Sequence, residues 1–223
     1  MSRLQAFWAS SVGKKAVMAV TGIILVLYLI THVLANLLVF TGPERINRYA
    51  AILHSTGGAL WAARVILLAS AVLHIVAATQ LALRRQAARP VAYAGGRSPQ
   101  VSTLAARTIR WGGALLLAFI VYHILHFTTG AVHPKFVELD PYHNVTTGFR
   151  NPLVALFYLV AMAALGLHLC HGVWSSGRSL GLSPPTPRPL RRRLALVLGG
   201  LIWLGFSVIV VAAVGGWIPG TLR

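Results

Sequence analysis

The sequence has little of several residue types, and each shortage excludes a class of protein. Cys170 is the only cysteine in 223 residues, which excludes an internal disulfide, and no Cys-x-x-Cys-His motif is present for covalent attachment of a c-type haem. Only 10% of the residues are charged, whereas 57% are hydrophobic. This composition provides too few polar side chains to cover a soluble globule, so we expect an integral membrane protein.

The sequence contains several long runs of apolar residues. A helix needs about 20 apolar residues to cross the hydrocarbon core of a bilayer. Five runs reach that length, at residues 16–40, 60–83, 109–130, 153–175 and 194–217. Backbone polar groups find no partner in lipid, so each run is predicted to be a helix. The fold class is therefore all-α, with five transmembrane helices in one domain covering residues 1–223.

Small residues within these runs are expected to serve packing. Paired glycines at 112–113 and 199–200 would let neighbouring helices approach closely. Cys170, between two histidines in the fourth run, is expected to be a small packing residue.

The formal net charge of +17 is explained by membrane topology rather than by a nucleic-acid partner. Basic residues concentrate in cytoplasmic segments of membrane proteins. Fourteen of the twenty basic residues flank the spans on one side: Arg3, Lys14, Lys15, Arg84, Arg85, Arg89, Arg97, Arg107, Arg110, Arg178, Arg188 and Arg191 to Arg193. The other six share the opposite side with all three acidic residues: Arg45, Arg48, Arg64, Lys135, Arg150 and Arg223, with Glu44, Glu138 and Asp140. The N-terminus is therefore predicted to be cytoplasmic and the C-terminus to lie outside.

Six of the nine histidines lie within the predicted spans: His32, His74, His123, His126, His168 and His171. Ionisable side chains are costly in lipid and usually mark a functional site. A weak internal repeat relates two of them, because His32 and His123 each follow a glycine, Gly22 or Gly113, by ten residues. Both belong to outward-crossing spans, so both are expected in the outer half of the membrane.

A second pair follows from a different spacing. His74 and His168 each precede an inner basic residue, Arg84 or Arg178, by ten residues. Both belong to inward-crossing spans and are expected in the inner half. The sequence thus predicts two histidine pairs at two depths, contributed by four helices.

A pair of imidazoles from facing helices is what a b-type haem requires. Both axial positions of the iron would then be filled, which suits electron transfer rather than oxygen chemistry. The first four spans are accordingly predicted to form a bundle that binds two haems. His126 and His171 each lie three residues after a predicted ligand, so they remain alternates or hydrogen-bonding neighbours of the haems.

Several motifs resemble the single-chain, five-span, dihaem cytochrome b subunit of succinate:quinone oxidoreductase, the complex that acts as succinate dehydrogenase or fumarate reductase. The resemblance runs in order from about residue 10 to 182, and the fifth span resembles that family only in position and apolarity. The matching segments are SSVGKKAVMAVTG (10–22), HVLANLLVFTGPERINRYAAILH (32–54), YHILHFTTG (122–130), YHNVTTGF (142–149) and LHLCHGVWSSGRSLGL (167–182).

The resemblance implies a function and a set of partners. This chain would be the subunit that does not itself oxidise succinate. It would anchor a flavoprotein subunit and an iron–sulfur subunit on the cytoplasmic side of a bacterial inner membrane, in a complex that can form a higher oligomer. It would pass electrons through two b haems to a membrane quinone, expected to be menaquinone. The implied iron ligands are His32, His74, His123 and His168.

A quinone pocket is mainly an apolar cleft with a few hydrogen-bonding groups, and no short sequence motif predicts its position. On the outer side the candidates are His54, Glu44, Arg64 and His143. On the inner side they are the segment FWASSVGKK (7–15) and the pair Arg110 and Trp111. The alternative for each is an ordinary interfacial residue, and for Trp8 and Trp111 an aromatic anchor at the membrane surface.

Two other functions remain open. A cytochrome b of another quinone-linked enzyme, such as a hydrogenase or formate dehydrogenase, would use the same histidine pairs. More remotely, a transporter would use intramembrane histidines to bind a metal or to relay protons. The transporter predicts carboxylates beside the histidines, yet no Asp or Glu lies in a predicted span.

Overall fold

The computed structural model describes residues 2–88, 104–182 and 189–220, and the chain within these ranges is all-helical, as predicted. A short 3₁₀ turn covers Leu38–Thr41. The α-helices are α1 Arg3–Ala9, α2 Ser11–Leu37, α3 Pro43–Ser55, α4 Gly58–Ala87, α5 Leu104–Phe127, α6 Pro141–Gly148, α7 Pro152–Ser179 and α8 Pro189–Gly215. Four of the basic residues used to predict the topology lie outside the described residues: Arg89, Arg97, Arg188 and Arg223.

Among the described residues, five helices are long and apolar enough to cross a membrane, which confirms a multi-pass membrane protein with five candidate spans. They are α2 with its 3₁₀ turn, α4, α5, α7 and α8. The third and fifth spans end slightly earlier than predicted, at Phe127 and Gly215. Glycines with positive φ follow closely, Gly130 at 72° and Gly216 at 67°, a conformation that turns the chain away from a helix.

Local sequence explains where the helices begin. Ser10 accepts a hydrogen bond from the Gly13 N–H and caps α2, and Asn151 caps α7 through the Leu153 N–H. Side-chain oxygens at these positions satisfy backbone donors that have no partner within the helix. Proline occupies the first turn of α3, α6 and α7, where its missing N–H costs nothing.

The two central spans are α2 and α7. Helix α2 packs along α4, α7 and α8, and α7 packs along α2, α5 and α8. The α7–α8 contact depends on glycine, because a Cβ at Gly199 would lie 3.0 Å from the Gly166 oxygen and 2.8 Å from Cys170 Sγ. Cys170 therefore packs at this interface, as expected.

The expectation for the other paired glycines was wrong. A Cβ built at Gly112, Gly113 or Gly200 would meet no atom within 4 Å. Each of these glycines lies on a helix face that no neighbouring helix contacts closely, and adjacent helix positions point about 100° apart. Only one glycine of an adjacent pair can therefore face a given neighbouring helix.

One end of the molecule is closed by short helices and loops. The Asn47 side chain of α3 donates to Asp140 Oδ1 (2.8 Å) and accepts from the Tyr142 N–H (3.1 Å). The Tyr142 hydroxyl donates to the Pro219 carbonyl after α8, and burial raises the pKa of Tyr142, which keeps this donor protonated. These bonds join α3, α6 and the chain after α8 at one end, where Glu44 and Glu138 also lie.

The opposite end is basic. Arg84, near the end of α4, donates to the Ala9 carbonyl between α1 and α2 at 2.8 Å. Lys14 is 2% exposed and donates to the Trp8 carbonyl. These contacts place the end of α4 beside the start of α2, so basic residues predicted to be cytoplasmic share one end of the molecule.

We expect the basic end to face the cytoplasm, because basic flanking segments are retained there. Green fluorescent protein fused before Ser2 should fluoresce, whereas alkaline phosphatase fused after residue 223 should be active, since it requires the oxidising outer compartment. The exchanged fusions, phosphatase at the N-terminus and fluorescent protein at the C-terminus, serve as controls and should be silent. Active exchanged fusions would contradict the predicted orientation.

Candidate histidine sites

The first histidine pair joins α2 and α5. The rings of His32 and His123 have centroids 5.9 Å apart and are nearly perpendicular, at 88°. Both rings are partly buried. Tyr28 stacks on His32 at 5.1 Å, and Phe119 lies 5.5 Å from His123. Aromatic rings thus surround both imidazoles and limit their rotation.

The second pair joins α4 and α7, where the rings of His74 and His168 have centroids 6.1 Å apart. His74 Nδ1 lies 3.0 Å from the Met18 carbonyl oxygen. A carbonyl only accepts, so Nδ1 carries the proton of the neutral ring. The lone pair of His74 is therefore on Nε2, where it is available to a ligand.

His168 supplies an unsatisfied atom. Its Nδ1 is buried and has no hydrogen-bond partner among the described residues. Such a group costs free energy unless a ligand or water satisfies it.

A glycine makes room for the partner ring, because a Cβ at Gly22 would lie 3.3 Å from His74 Cε1. Gly22, which precedes His32 by ten residues in the sequence repeat, therefore lies against His74, a histidine of the other pair.

The two pairs lie at different levels. His74 lies against Met18, Thr21 and Gly22 of α2. His32 is also on α2, ten residues after Gly22. At a rise of 1.5 Å per residue, ten residues correspond to about 15 Å along α2. The structure brings together the same two pairs that the sequence grouped by depth, while their role as iron ligands stays a prediction.

Each pair joins two helices that do not pack closely on each other. Among the described residues, α2 packs closely on α4 and α7, and α5 on α7, but α2 and α5 are not a closely packed pair, nor are α4 and α7. The imidazoles therefore reach across the interior between helices whose backbones stay apart. That spacing is what a bundle needs to hold a cofactor between facing side chains.

The two neighbouring histidines are placed differently from the paired ones. His126 is 2% exposed, and its Nδ1 lies 3.0 Å from the Tyr158 hydroxyl. Its ring stacks on His133 at 4.8 Å. His171 is partly buried, and no hydrogen bond or ring contact joins it to His74 in the described part of the chain.

The sequence missed the polar cluster around His126. His133 is held by two backbone contacts: the Lys135 N–H donates to its Nδ1 (3.1 Å), and its Nε2 donates to the Asn144 carbonyl (2.9 Å). Tyr158, on α7, is 4% exposed and contacts both His123 and His126. The motif YHNVTTGF contained Asn144 and Gly148, but nothing in its spacing connects it to the third span.

The four outer quinone candidates are dispersed. Glu44 and His54 are exposed at opposite ends of α3. Arg64 lies over the Trp61 ring at 4.9 Å, and His143 Nε2 donates to the Lys135 carbonyl at 2.9 Å. No hydrogen bond joins any two of the four, so the structure does not gather them into one site.

One inner candidate lies beside a histidine. Trp111 lines an apolar cleft of about 290 Å³ between α5 and α7, and His168 forms part of the cleft wall. Arg110 is exposed and is not among the lining residues. On the segment 7–15, the Lys14 ammonium lies 5.0 Å from the centre of the Trp8 ring.

The chemistry available at each level is that of two nitrogen donors. Within the described ranges, no three His, Cys, Asp or Glu side chains cluster as they would around a metal ion held by protein alone. Glu44, Glu138 and Asp140 all lie outside the five candidate spans. Two facing imidazoles without a carboxylate match a cofactor that brings its remaining metal ligands with it.

Comparison of the chain with protein-family models, with curated proteins and with solved structures finds no match.

Gly148 provides a test of the packed histidine cluster. A Cβ there would lie 2.9 Å from His133 Nε2 and 3.0 Å from His126 Cε1, and both rings are held by hydrogen bonds. Gly148→Ala should therefore destabilise the protein by about 1–3 kcal/mol, as overpacking does. The measurement is the thermal unfolding midpoint in detergent.

The matched control is Gly200→Ala, also within a helix, where the new Cβ would meet nothing within 4 Å. It should leave the midpoint unchanged or raise it, because alanine favours a helix by about 0.5–1 kcal/mol over glycine. Equal midpoints for Gly148→Ala and the unmodified protein would show that the cluster is looser than described.

Proposed function

We propose that this protein is the dihaem cytochrome b membrane anchor of a succinate:quinone oxidoreductase. In this proposal it passes electrons between a cytoplasmic iron–sulfur subunit and a membrane quinone. The observation that carries it is the presence of two histidine pairs, at two levels, each joining two helices that do not pack closely on each other.

The ring spacing supports iron ligation. Two imidazoles that bind one metal ion from opposite sides, each through a bond of about 2 Å, have ring centroids about 6 Å apart. The observed separations are 5.9 Å for His32 and His123 and 6.1 Å for His74 and His168. The unpartnered Nδ1 of His168 and the lone pair on His74 Nε2 also fit a group bound between the rings.

A bound b haem would supply a one-electron centre that can be oxidised and reduced without leaving the membrane. The chain's own residues would do the rest. The paired imidazoles would hold the haem iron, and His74 would be kept by the Met18 carbonyl in the tautomer that leaves Nε2 free to bind it. The separation of about 15 Å between the levels, from the helical rise, would let the two centres form one path across the bundle.

The family assignment within this class is supported by sequence motifs. The segments at 10–22, 32–54, 122–130, 142–149 and 167–182 resemble the succinate:quinone oxidoreductase subunit in order. The partners implied by that resemblance are a flavoprotein and an iron–sulfur subunit, which would dock at the basic end near Arg84 and Lys14. Purification of the native complex from its membrane, followed by identification of the accompanying subunits, distinguishes this assignment from a hydrogenase or formate dehydrogenase cytochrome.

We predict two non-covalent haems per chain, both with low-spin spectra, because each iron would have two nitrogen ligands. The measurement is a pyridine haemochrome assay on the purified complex, with protein quantified by amino-acid analysis. Extraction into acidified acetone should remove all the haem, since no cysteine pair anchors it. One haem or none in the intact complex would contradict the proposal.

Substitution of the paired histidines should separate the two centres. His32→Ala or His123→Ala should remove the same haem, and His74→Ala or His168→Ala should remove the other, because each variant leaves an iron with one ligand. The measurement is the difference spectrum and the number of one-electron steps in a redox titration. Loss of the same haem in His32→Ala and His74→Ala would contradict the pairing.

The neighbouring histidines provide the controls. His171→Ala should keep a low-spin inner haem, and His126→Asn should keep the outer one, since asparagine retains a polar atom near the position of Nδ1. If His171→Ala lost the inner haem while His168→Ala kept it, the ligand in the segment HLCH would be His171.

A further inference from the structure

Tyr158 lies between two imidazoles of α5. Its hydroxyl oxygen is 3.3 Å from His123 Nδ1 and 3.0 Å from His126 Nδ1. A hydroxyl carries one proton, so it donates to one imidazole and accepts from the other. The two bonds therefore have a defined direction, and that direction depends on which ring nitrogen of His123 carries a proton.

The direction follows if His123 is an iron ligand. A neutral imidazole that binds a metal through Nε2 carries its proton on Nδ1. His123 Nδ1 then donates to the Tyr158 oxygen, and the Tyr158 hydroxyl donates to His126 Nδ1. The three side chains form a single chain of hydrogen bonds that ends on His126.

His126 is a rigid acceptor for this chain. Its ring is 2% exposed and stacks on His133, with 25° between the ring planes. His133 is itself fixed by the Lys135 N–H and the Asn144 carbonyl. The absence of a Cβ at Gly148 lets both rings approach the backbone of α6.

Tyr158 is held in place by aromatic rings as well. Its ring centroid lies 4.9 Å from that of Phe149, 5.0 Å from Phe119 and 5.7 Å from Phe127, all in edge-to-face contact. The hydroxyl therefore has little freedom to leave the two histidines.

We propose that Tyr158 is a positioning residue for the outer haem ligand: its oxygen accepts a hydrogen bond from the Nδ1–H of His123, and its hydroxyl donates one to His126 Nδ1. This inference rests on the proposed haem-binding function. It assigns different parts to the two histidines of the segment HILH, with His123 as the ligand and His126 as the end of the hydrogen-bond chain.

The two levels of the bundle then differ in a measurable way. His74 at the inner level donates to the backbone carbonyl of Met18. His123 at the outer level donates to a side-chain hydroxyl, which a substitution can remove. A change at Tyr158 should therefore affect one haem and leave the other as an internal reference.

The test is a redox titration of the two haems in Tyr158→Phe. A hydrogen bond from Nδ1 makes the imidazole a stronger electron donor, which favours oxidised iron. Its removal should shift the outer haem to higher potential, by up to about 59 mV for a tenfold change in a one-electron equilibrium. The titration step missing from His32→Ala identifies the outer haem.

Tyr122→Phe is the matched control. Tyr122 lies on α5, and its ring contacts Tyr158, His126 and Phe157. No hydrogen bond joins its hydroxyl to a histidine among the described residues, so its removal should leave both potentials unchanged.

A second variant separates positioning from packing. Site-specific 3-fluorotyrosine at position 158 keeps the ring and the hydroxyl but weakens the oxygen as an acceptor, so it should raise the same potential by a smaller amount. If Tyr158→Phe lost the outer haem, this variant would decide the question.

Equal shifts of both haems, no shift in either Tyr158 variant, or an equal effect of Tyr122→Phe would overturn the role of Tyr158. If the unmodified protein held no pair of haems, the proposed function itself would fail.

Discussion

Polar groups within a bilayer must find their partners inside the protein, and the arrangement of this molecule depends on that constraint. The backbone N–H and C=O groups of the five spans are hydrogen-bonded within the helices, but the imidazole nitrogens need hydrogen-bond partners elsewhere. His74 uses the Met18 carbonyl, His123 and His126 use Tyr158, and His133 uses Asn144. Among the described histidines, only His168 has a buried ring nitrogen, Nδ1, without a hydrogen-bond partner, and His168 belongs to the inner pair, for which we propose a haem.

The partners of the imidazoles differ between the two levels. At the inner level the partners of His74 are the Met18 carbonyl and the Thr21 hydroxyl, and the space for its ring comes from Gly22. At the outer level they are side chains embedded among aromatic rings, with Tyr158 at the centre. A backbone carbonyl such as that of Met18 cannot be removed by substitution, whereas the Tyr158 hydroxyl can. The two histidine pairs therefore have different surroundings.

The two ends of the molecule differ in the charge of the residues that close them. At the basic end, Arg84 and Lys14 bind the backbone at Ala9 and Trp8, which ties α1 to the spans. At the other end, Asn47, Asp140 and Tyr142 join α3, α6 and the chain after α8 through neutral or acidic partners. The charge asymmetry that predicts orientation is therefore also part of the contacts that close each end.

The sequence by itself determined the all-α class, the five spans and the grouping of four histidines, because apolar length and residue spacing along a helix are local properties. It left His126 as an alternate to His123, because residues three apart share a helix face. Only the tertiary structure shows that the two rings have different neighbours, since Tyr158 and His133 are 35 and ten residues from His123 in sequence. The sequence also could not show that Gly199 packs while Gly200 does not, or that the outer quinone candidates lie apart. Such features depend on how helices rotate and cross, which side chains distant in sequence decide together.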